Sequence, residues 1–223
     1  MERTKAEGLH VRQLGLGPMK NFVYLLGASG AKEVAVVDPA WDVPAILEAV
    51  AKDEKRLSAV FLTHHHFDHL NGVPELLKTC DVPVYVQASE VDFAEAVQKL
   101  GSAVRRVSPG EVISVGPLEV TCVHTPGHTP GSQCLWCRGA LVSGDTVFVN
   151  ACGRCDLSGG DASQMFDSLQ RVLGALPAET LLYPGHDYGD VPVSSLSRER
   201  AQNPYFRLGQ LEAFVAHRNR PRS

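Results

Sequence analysis

Residues 57–69 read Leu57-Ser58-Ala59-Val60-Phe61-Leu62-Thr63-His64-His65-His66-Phe67-Asp68-His69. The stretch 57–62 has the composition of a buried strand, and it runs directly into a cluster of imidazoles and one carboxylate. Side chains at i and i+2 of an extended segment share a face, so His64 and His66 can hold one ion. Asp68 and His69 follow where the chain is expected to turn as a loop, pointing toward a second position, and Asn71-Gly72 permits a tight exit. Imidazole and carboxylate are the usual donors for zinc and iron, and a strand that ends in a loop projects them from a rigid base. Ligand-type residues this close together rarely serve a core, so the H-x-H-x-D-H spacing predicts a metal site.

Three other segments repeat the arrangement. His124-Thr125-Pro126-Gly127-His128, Ser143-Gly144-Asp145 and Tyr183-Pro184-Gly185-His186 each follow a predicted strand. Strand ends can converge on one edge of a sandwich, which would bring His128, Asp145 and His186 to the first cluster.

The order of elements supports such a sandwich. Strands are expected at residues 22–27, 34–37, 57–62 and 82–86, with helices at 43–52 (Asp42 as N-cap), 70–78 and 89–100 (Ser89 as N-cap). Consecutive strands follow at 112–115, 118–123, 133–137 and 140–143. A helix at 164–173, a strand at 180–183 and a closing helix from 194 complete the pattern. A βαβα stretch, a run of strands and another βα stretch suggest an α/β fold, an αββα sandwich of two mixed sheets flanked by helices. No Gly-, Pro- or Ser-rich linker divides residues 1–223, so one domain with a short helical extension from about 194 is expected.

Composition bounds the function. The net charge of −4 argues against nucleic acid or an anionic membrane as the main partner. Residues 1–10 are polar and lack the apolar run of a secretory signal, and no stretch approaches the ~18 apolar residues of a membrane span. A cytoplasmic location with six reduced cysteines is therefore expected. Cys134, Cys137, Cys152 and Cys155 have the spacing of a zinc ribbon. However, positions 134 and 137 of a strand face opposite sides, so they are read as free thiols. Arginines gather toward the C-terminus at 198, 200, 207, 218, 220 and 222, and the last three, Arg218 among them, are read as a solvated tail.

His64-x-His66-x-Asp68-His69, followed in order by His128, Asp145 and His186, resembles the metallo-β-lactamase superfamily over nearly the whole chain. The resemblance implies His64, His66 and His128 around one metal, Asp68, His69 and His186 around another, and Asp145 between them. His65 and His124 match no ligand position. Two such ions, roughly 3.5–4 Å apart, lower the pKa of a shared water to about 7 and polarise a carbonyl, so hydrolysis follows, with Asp68 also orienting the nucleophile. Zinc is the first expectation for the two divalent ions, with iron or manganese compatible with the same donors.

Met19-Lys20-Asn21-Phe22, Gly144-Asp145-Thr146-Val147-Phe148 and Cys152-Gly153-Arg154 look like the glyoxalase II-like group in particular. By that likeness Arg154 and Tyr188 would contact a small thiol conjugate, glutathione-based, whose thioester is cleaved. Full-length members of that group carry a longer helical C-terminal domain, whereas only 19 residues follow Pro204 here. The nearest other branch is a persulfide dioxygenase with one iron at positions matching His64, His128 and Asp145. A non-catalytic metal-binding regulatory module is the reading from another class. The oligomeric state, a homodimer included, is left open.

Overall fold

β-branched and aromatic runs form the strands here, and the computed structural model, which describes residues 8–218, sorts them into two six-stranded mixed sheets. The first begins with β1 (Leu9–Leu16), β2 (Asn21–Ala28) and β3 (Glu33–Val37), antiparallel neighbours. Helix α1 (Val43–Lys52) then crosses to β4 (Arg56–Phe61), parallel to β3. The chain continues through α2 (Phe67–Leu70) and α3 (Val73–Thr79) to β5 (Val84–Gln87). Helices α4 (Ala88–Phe93) and α5 (Glu95–Gln98) lead on to β6 (Val104–Val107), so spatial order follows chain order.

The second sheet contains β7 (Val112–Val115), β8 (Leu118–His124), β9 (Gln133–Cys137) and β10 (Ala140–Gly144). A small ribbon, β11 (Val147–Phe148) with β12 (Ala151–Cys152), and helix α6 (Ala162–Asp167) precede β13 (Leu181–Pro184) and β14 (Ser194–Ser195). The order is β14-β13-β10-β9-β8-β7, with β13 parallel to β10. Helices α7 (Leu196–Gln202), α8 (Pro204–Arg207) and α9 (Leu211–Arg218) end the described chain.

Strand β2 shows why the layers stack. All eight of its residues are buried: Phe22, Tyr24, Leu26 and Ala28 face the second sheet, while Val23 and Leu25 face the helices over the first. A strand apolar on both faces must be covered on both. The middle layer joins that face to Val120, Cys122, Leu135 and Val142 of the other sheet, and a third cluster, with Met165, Leu196 and Phe214, binds the outer helices to the second sheet. The expected αββα sandwich is therefore present. No helix among the described residues is long and apolar enough to cross a membrane.

Several local expectations need correction. Asp68 and His69 lie on the short helix α2 rather than in an irregular loop, and the helix expected at 70–78 is split, Leu70 ending α2 and α3 starting at Val73 after a turn at Asn71 and Gly72. A Cβ on Gly72 would lie 2.8 Å from the Pro39 carbonyl oxygen, so the chain passes too close there for a side chain. The helix expected at 89–100 divides at Ala94, whose backbone is extended, and Gln87 rather than Ser89 occupies its N-cap. The Ser89 hydroxyl instead donates to the Pro130 carbonyl at 3.3 Å. Helix 164–173 starts at Ala162, capped by Asp161, and widens into a π turn after Asp167. Strands β1 and β6, edges of the first sheet, carry weak alternation and went unread. Cys134 and Cys137 do point into different apolar layers, as free thiols.

The two sheets are tied at one end by polar bonds. The Gln133 N–H donates to the Thr63 carbonyl at 2.9 Å, and the Phe22 N–H to the Gly185 carbonyl at 2.8 Å. The buried Tyr24 hydroxyl donates to the Pro184 carbonyl at 2.5 Å, two residues before His186. Removing that hydroxyl strands a buried carbonyl. Tyr24→Phe should lower the unfolding free energy of the metal-free protein by about 1–3 kcal/mol in urea titrations with chelator, and no loss would show that the bond is not needed.

Candidate metal centre

The tied end is where the strands release their polar residues. β4 delivers Thr63 to His66, β8 the loop to His128, β10 Asp145 and β13 His186. Two crossing points are tight. Gly144 has φ +48°, and a Cβ there would meet the Thr63 side chain at 2.4 Å; a Cβ on Gly185 would lie 2.5 Å from Asp145 Oδ1. Only glycine lets these loops approach so closely.

All seven sequence-expected ligands meet. His66 Nδ1 lies 3.1 Å from His64 Nε2 and 2.9 Å from His128 Nε2, which forms one triad. His69 Nε2 lies 3.1 Å from His186 Nε2, and Asp68 Oδ2 lies 3.5 and 3.4 Å from those two nitrogens, which forms a second. Asp145 stands between them. Its Oδ2 is 3.5 Å from His128 Nε2, while its Oδ1 is 3.3 Å from His69 Nε2 and 3.4 Å from His186 Nε2. Among the described residues Oδ1 is buried with no hydrogen-bond partner. Polar atoms converging on a point where none satisfies the others fit a cation, so this is a His/Asp metal site.

Outer contacts fix the direction of each ring. His69 Nδ1 donates to Asp38 Oδ2 at 2.9 Å, His128 Nδ1 to the Arg154 carbonyl at 2.6 Å, and His186 Nδ1 to the Met19 carbonyl at 2.9 Å. His64 Nδ1 contacts Thr63 Oγ1 at 3.0 Å, and that hydroxyl donates to Asp38 Oδ2 at 2.6 Å. With Nδ1 engaged, Nε2 of these four rings is directed inward. His66 alone presents Nδ1. Asp38, His64 and His69 also cluster, but Asp38 is already bonded to Thr63 and to His69 Nδ1, so we read it as the support of the site.

Burial, with neighbouring imidazoles adding to it, pushes His64 well below its usual range and His66 to about 4; burial also lowers His128. These rings stay neutral and available to a metal. His69 behaves oppositely: burial pulls it down, but Asp145 and then Asp38 carry it well above the usual range. Burial works against the Asp145 charge too, and the His69 charge outweighs it to hold the carboxyl well below its ordinary value. A proton on His69 thus occupies the position that a metal would take, and metal binding releases it.

Four supporting residues went unread. Asp38 follows a strand as Asp38-Pro39, which reads as a turn; its backbone has φ +50°, held by bonds from the Thr63 N–H and hydroxyl. Thr63 stood in the opening motif without a role. Asn21 Nδ2 donates to Asp68 Oδ2 at 2.9 Å, and the Trp41 indole in turn donates to Asn21. Glu90, fully buried, accepts from His65 N–H and Nδ1 at 2.7 and 2.6 Å, the Thr129 hydroxyl at 2.9 Å and the Gly131 N–H at 2.7 Å. It clasps the two loops that carry His64, His66 and His128. His65 and His124 join neither triad; His124 Nε2 faces the Pro130 carbonyl at 2.9 Å.

The centre opens on a cavity of about 630 Å³. Tyr188 lines it and stacks on His186, rings 4.6 Å apart and 6° from parallel. Arg154 lines it as well, with its guanidinium in a two-bond fork to Asp156 at 2.7 and 2.9 Å. Arg218, expected in a solvated tail, is half-buried on α9 and borders the same cavity; Arg220 and Arg222 lie outside the described residues.

A profile of the metallo-beta-lactamase superfamily matches residues 16–186, which span every ligand position. The chain belongs to that superfamily. It is 35% identical over 201 residues to a probable polyketide biosynthesis zinc-dependent hydrolase, PksB, of Bacillus subtilis, covering 90% of this chain and 88% of that protein. Identity to a probable hydroxyacylglutathione hydrolase, glo2, of Schizosaccharomyces pombe is 37% over 182 residues, 77% of this chain but only 66% of that protein. The crystal structure of ETHE1 from Myxococcus xanthus superposes with a TM-score of 0.85 at 33% identity, covering 96% of this chain and 92% of that one. Within the superfamily, the relatives it resembles thus include a hydroxyacylglutathione hydrolase and ETHE1, as the glyoxalase II-like motifs implied.

The Glu90 clasp has a testable consequence. Its burial opposes the charge, but His65, Thr129 and backbone N–H donors outweigh that and hold the carboxyl below its usual range. A depressed carboxyl adds stability that is full above the unfolded value and is lost as pH falls toward the folded one. Glu90→Gln leaves at least one buried donor unpaired. It should cost about 1–3 kcal/mol at pH 7 and flatten the acid limb of the stability curve; an unchanged acid limb would refute the clasp.

Proposed function

We propose that the chain is a metal-dependent hydrolase of thioesters that works with two divalent ions, zinc foremost. His64, His66 and His128 would hold one, Asp68, His69 and His186 the other, and Asp145 both. The observation that carries this reading is the division of one carboxylate, Oδ2 toward the first triad and Oδ1 toward the second. When bound, such a pair acidifies water and polarises a carbonyl.

The chain's own residues supply orientation. Asp68 is fixed by Asn21 through Oδ2, at the rim where the triads meet the cavity, and is placed to take up a proton from the attacking water. Asp38, Met19 and Arg154 hold the rings from outside, so little rearrangement is needed during turnover. Arg154 and Tyr188 border the cavity as a thiol-conjugate contact requires. The likeness to glo2 supports a hydroxyacylglutathione-type substrate, and the likeness to PksB supports zinc. A complete second triad favours this reading over a single-iron dioxygenase on His64, His128 and Asp145.

Elemental analysis after dialysis should find two zinc equivalents, one in His128→Ala and in His186→Ala, and weakened retention of both in Asp145→Ala. A single equivalent in the unaltered protein would refute the pair. S-lactoylglutathione should be cleaved without oxygen, and Asp68→Asn should lower kcat roughly 10²–10⁴-fold. Activity that appears only with iron and O₂ on glutathione persulfide would replace hydrolysis with the dioxygenase reaction.

A further inference from the structure

The cavity has two unlike ends. Beside Asp68 and His186 its wall is aromatic and apolar, with Met19, Phe67 and Tyr188 exposed. Beyond His128 it is cationic: Arg154, whose carbonyl holds His128, and Arg218 from the last turn of α9. The two arginines differ in how their charge is met. Arg154 is paired with Asp156, whereas among the described residues no carboxylate pairs with Arg218.

Arg218 is nonetheless firmly placed. Phe214, one turn earlier, is fully buried against Phe166 and Tyr205, with ring centroids 5.6 and 6.0 Å away. The guanidinium carbon lies 5.2 Å from the Tyr205 ring centroid, and one terminal nitrogen donates to the Tyr205 hydroxyl at 3.2 Å. That hydroxyl, accepting from Arg218, keeps its own hydrogen to donate. Arg218 Nε is buried with no hydrogen-bond partner among the described residues. The nearby Cys155 thiol is no counter-ion, since burial pushes it up and keeps it protonated. Drawing a guanidinium partly out of water without an anion is costly, and its planar fork of donors suits a carboxylate or a phosphate.

We propose that Arg218, with the Tyr205 hydroxyl, is an anion subsite of the substrate cavity that recognises a carboxylate or phosphate on the thiol half of the thioester; this rests on the hydrolase reading above. Soluble thiols that carry acyl groups are anionic, either through carboxylates in a peptide thiol or through phosphate in a pantetheine thiol. The apolar end is left for the acyl group. Arg218 thereby determines specificity without touching the reacting atoms.

The test uses three thioesters with one acyl group, on N-acetylcysteamine (neutral), glutathione (carboxylates) and phosphopantetheine (phosphate). In zinc-loaded Arg218→Met, kcat/KM for an anionic thioester should fall roughly 10–100-fold relative to the neutral one, through KM, and Arg218→Lys should recover part of it. The arm that falls furthest names the anion. Equal falls on all three, or none, would overturn the subsite. Calorimetric binding of S-methylglutathione and of phosphopantetheine separates the two claims. Weaker binding to Arg218→Met, with no thioester cleaved by the unaltered protein, would sink the hydrolase and keep the subsite. Unchanged binding beside normal cleavage would do the reverse. If Arg218→Met does not fold, Tyr205→Phe and Arg218→Lys carry the same comparison.

Discussion

Five imidazoles and two carboxylates are packed here with donor atoms 2.9–3.5 Å apart, an arrangement that is costly to assemble. Without a cation each buried Nε2 would seek a proton or a partner that its neighbours cannot all provide. The structure resolves this by occupying the outward nitrogen of four rings with an oxygen, so that the inward nitrogens are oriented before any metal arrives. Pre-set donors lower the entropy lost on binding and exclude the other tautomer.

That requirement explains much of the architecture. The rings come from three separate strand ends, so the two sheets must be locked together at that edge. Gln133 to Thr63, Phe22 to Gly185 and Tyr24 to Pro184 do so. Asp38 sits in a left-handed backbone conformation at a strand exit, a local cost of roughly 1–3 kcal/mol that its bonds to Thr63 and His69 offset. Glycine at 185 is imposed by contact, and at 144 by contact as well as by its left-handed backbone, since a methyl group at either would displace Thr63 or Asp145.

The ligands were legible in the sequence because their signal is local: a buried strand, then donors at a spacing that no core uses. The layering was legible for a similar reason, β2 and β4 being apolar beyond what one covered face needs. What supports the ligands was not. Asp38, Asn21 and Glu90 act across 31, 47 and up to 41 positions, and each is a lone polar residue that also suits a turn or a helix surface. Arg218 was misread for the converse reason. Basic residues near a C-terminus look like a tail until Phe214 is seen to anchor their helix.

The cavity is thus polarised, with metal donors at its floor, Met19, Phe67 and Tyr188 on one side and the guanidinium groups, with Tyr205, on the other. The proposed chemistry depends on Asp145 standing between both triads. Zinc-edge X-ray absorption on the protein loaded with two equivalents addresses that directly. A shell of nitrogen and oxygen donors and a metal–metal vector at roughly 3.5–4 Å are the expected result. Sulfur in that shell, or isolated ions with no such vector, would contradict it.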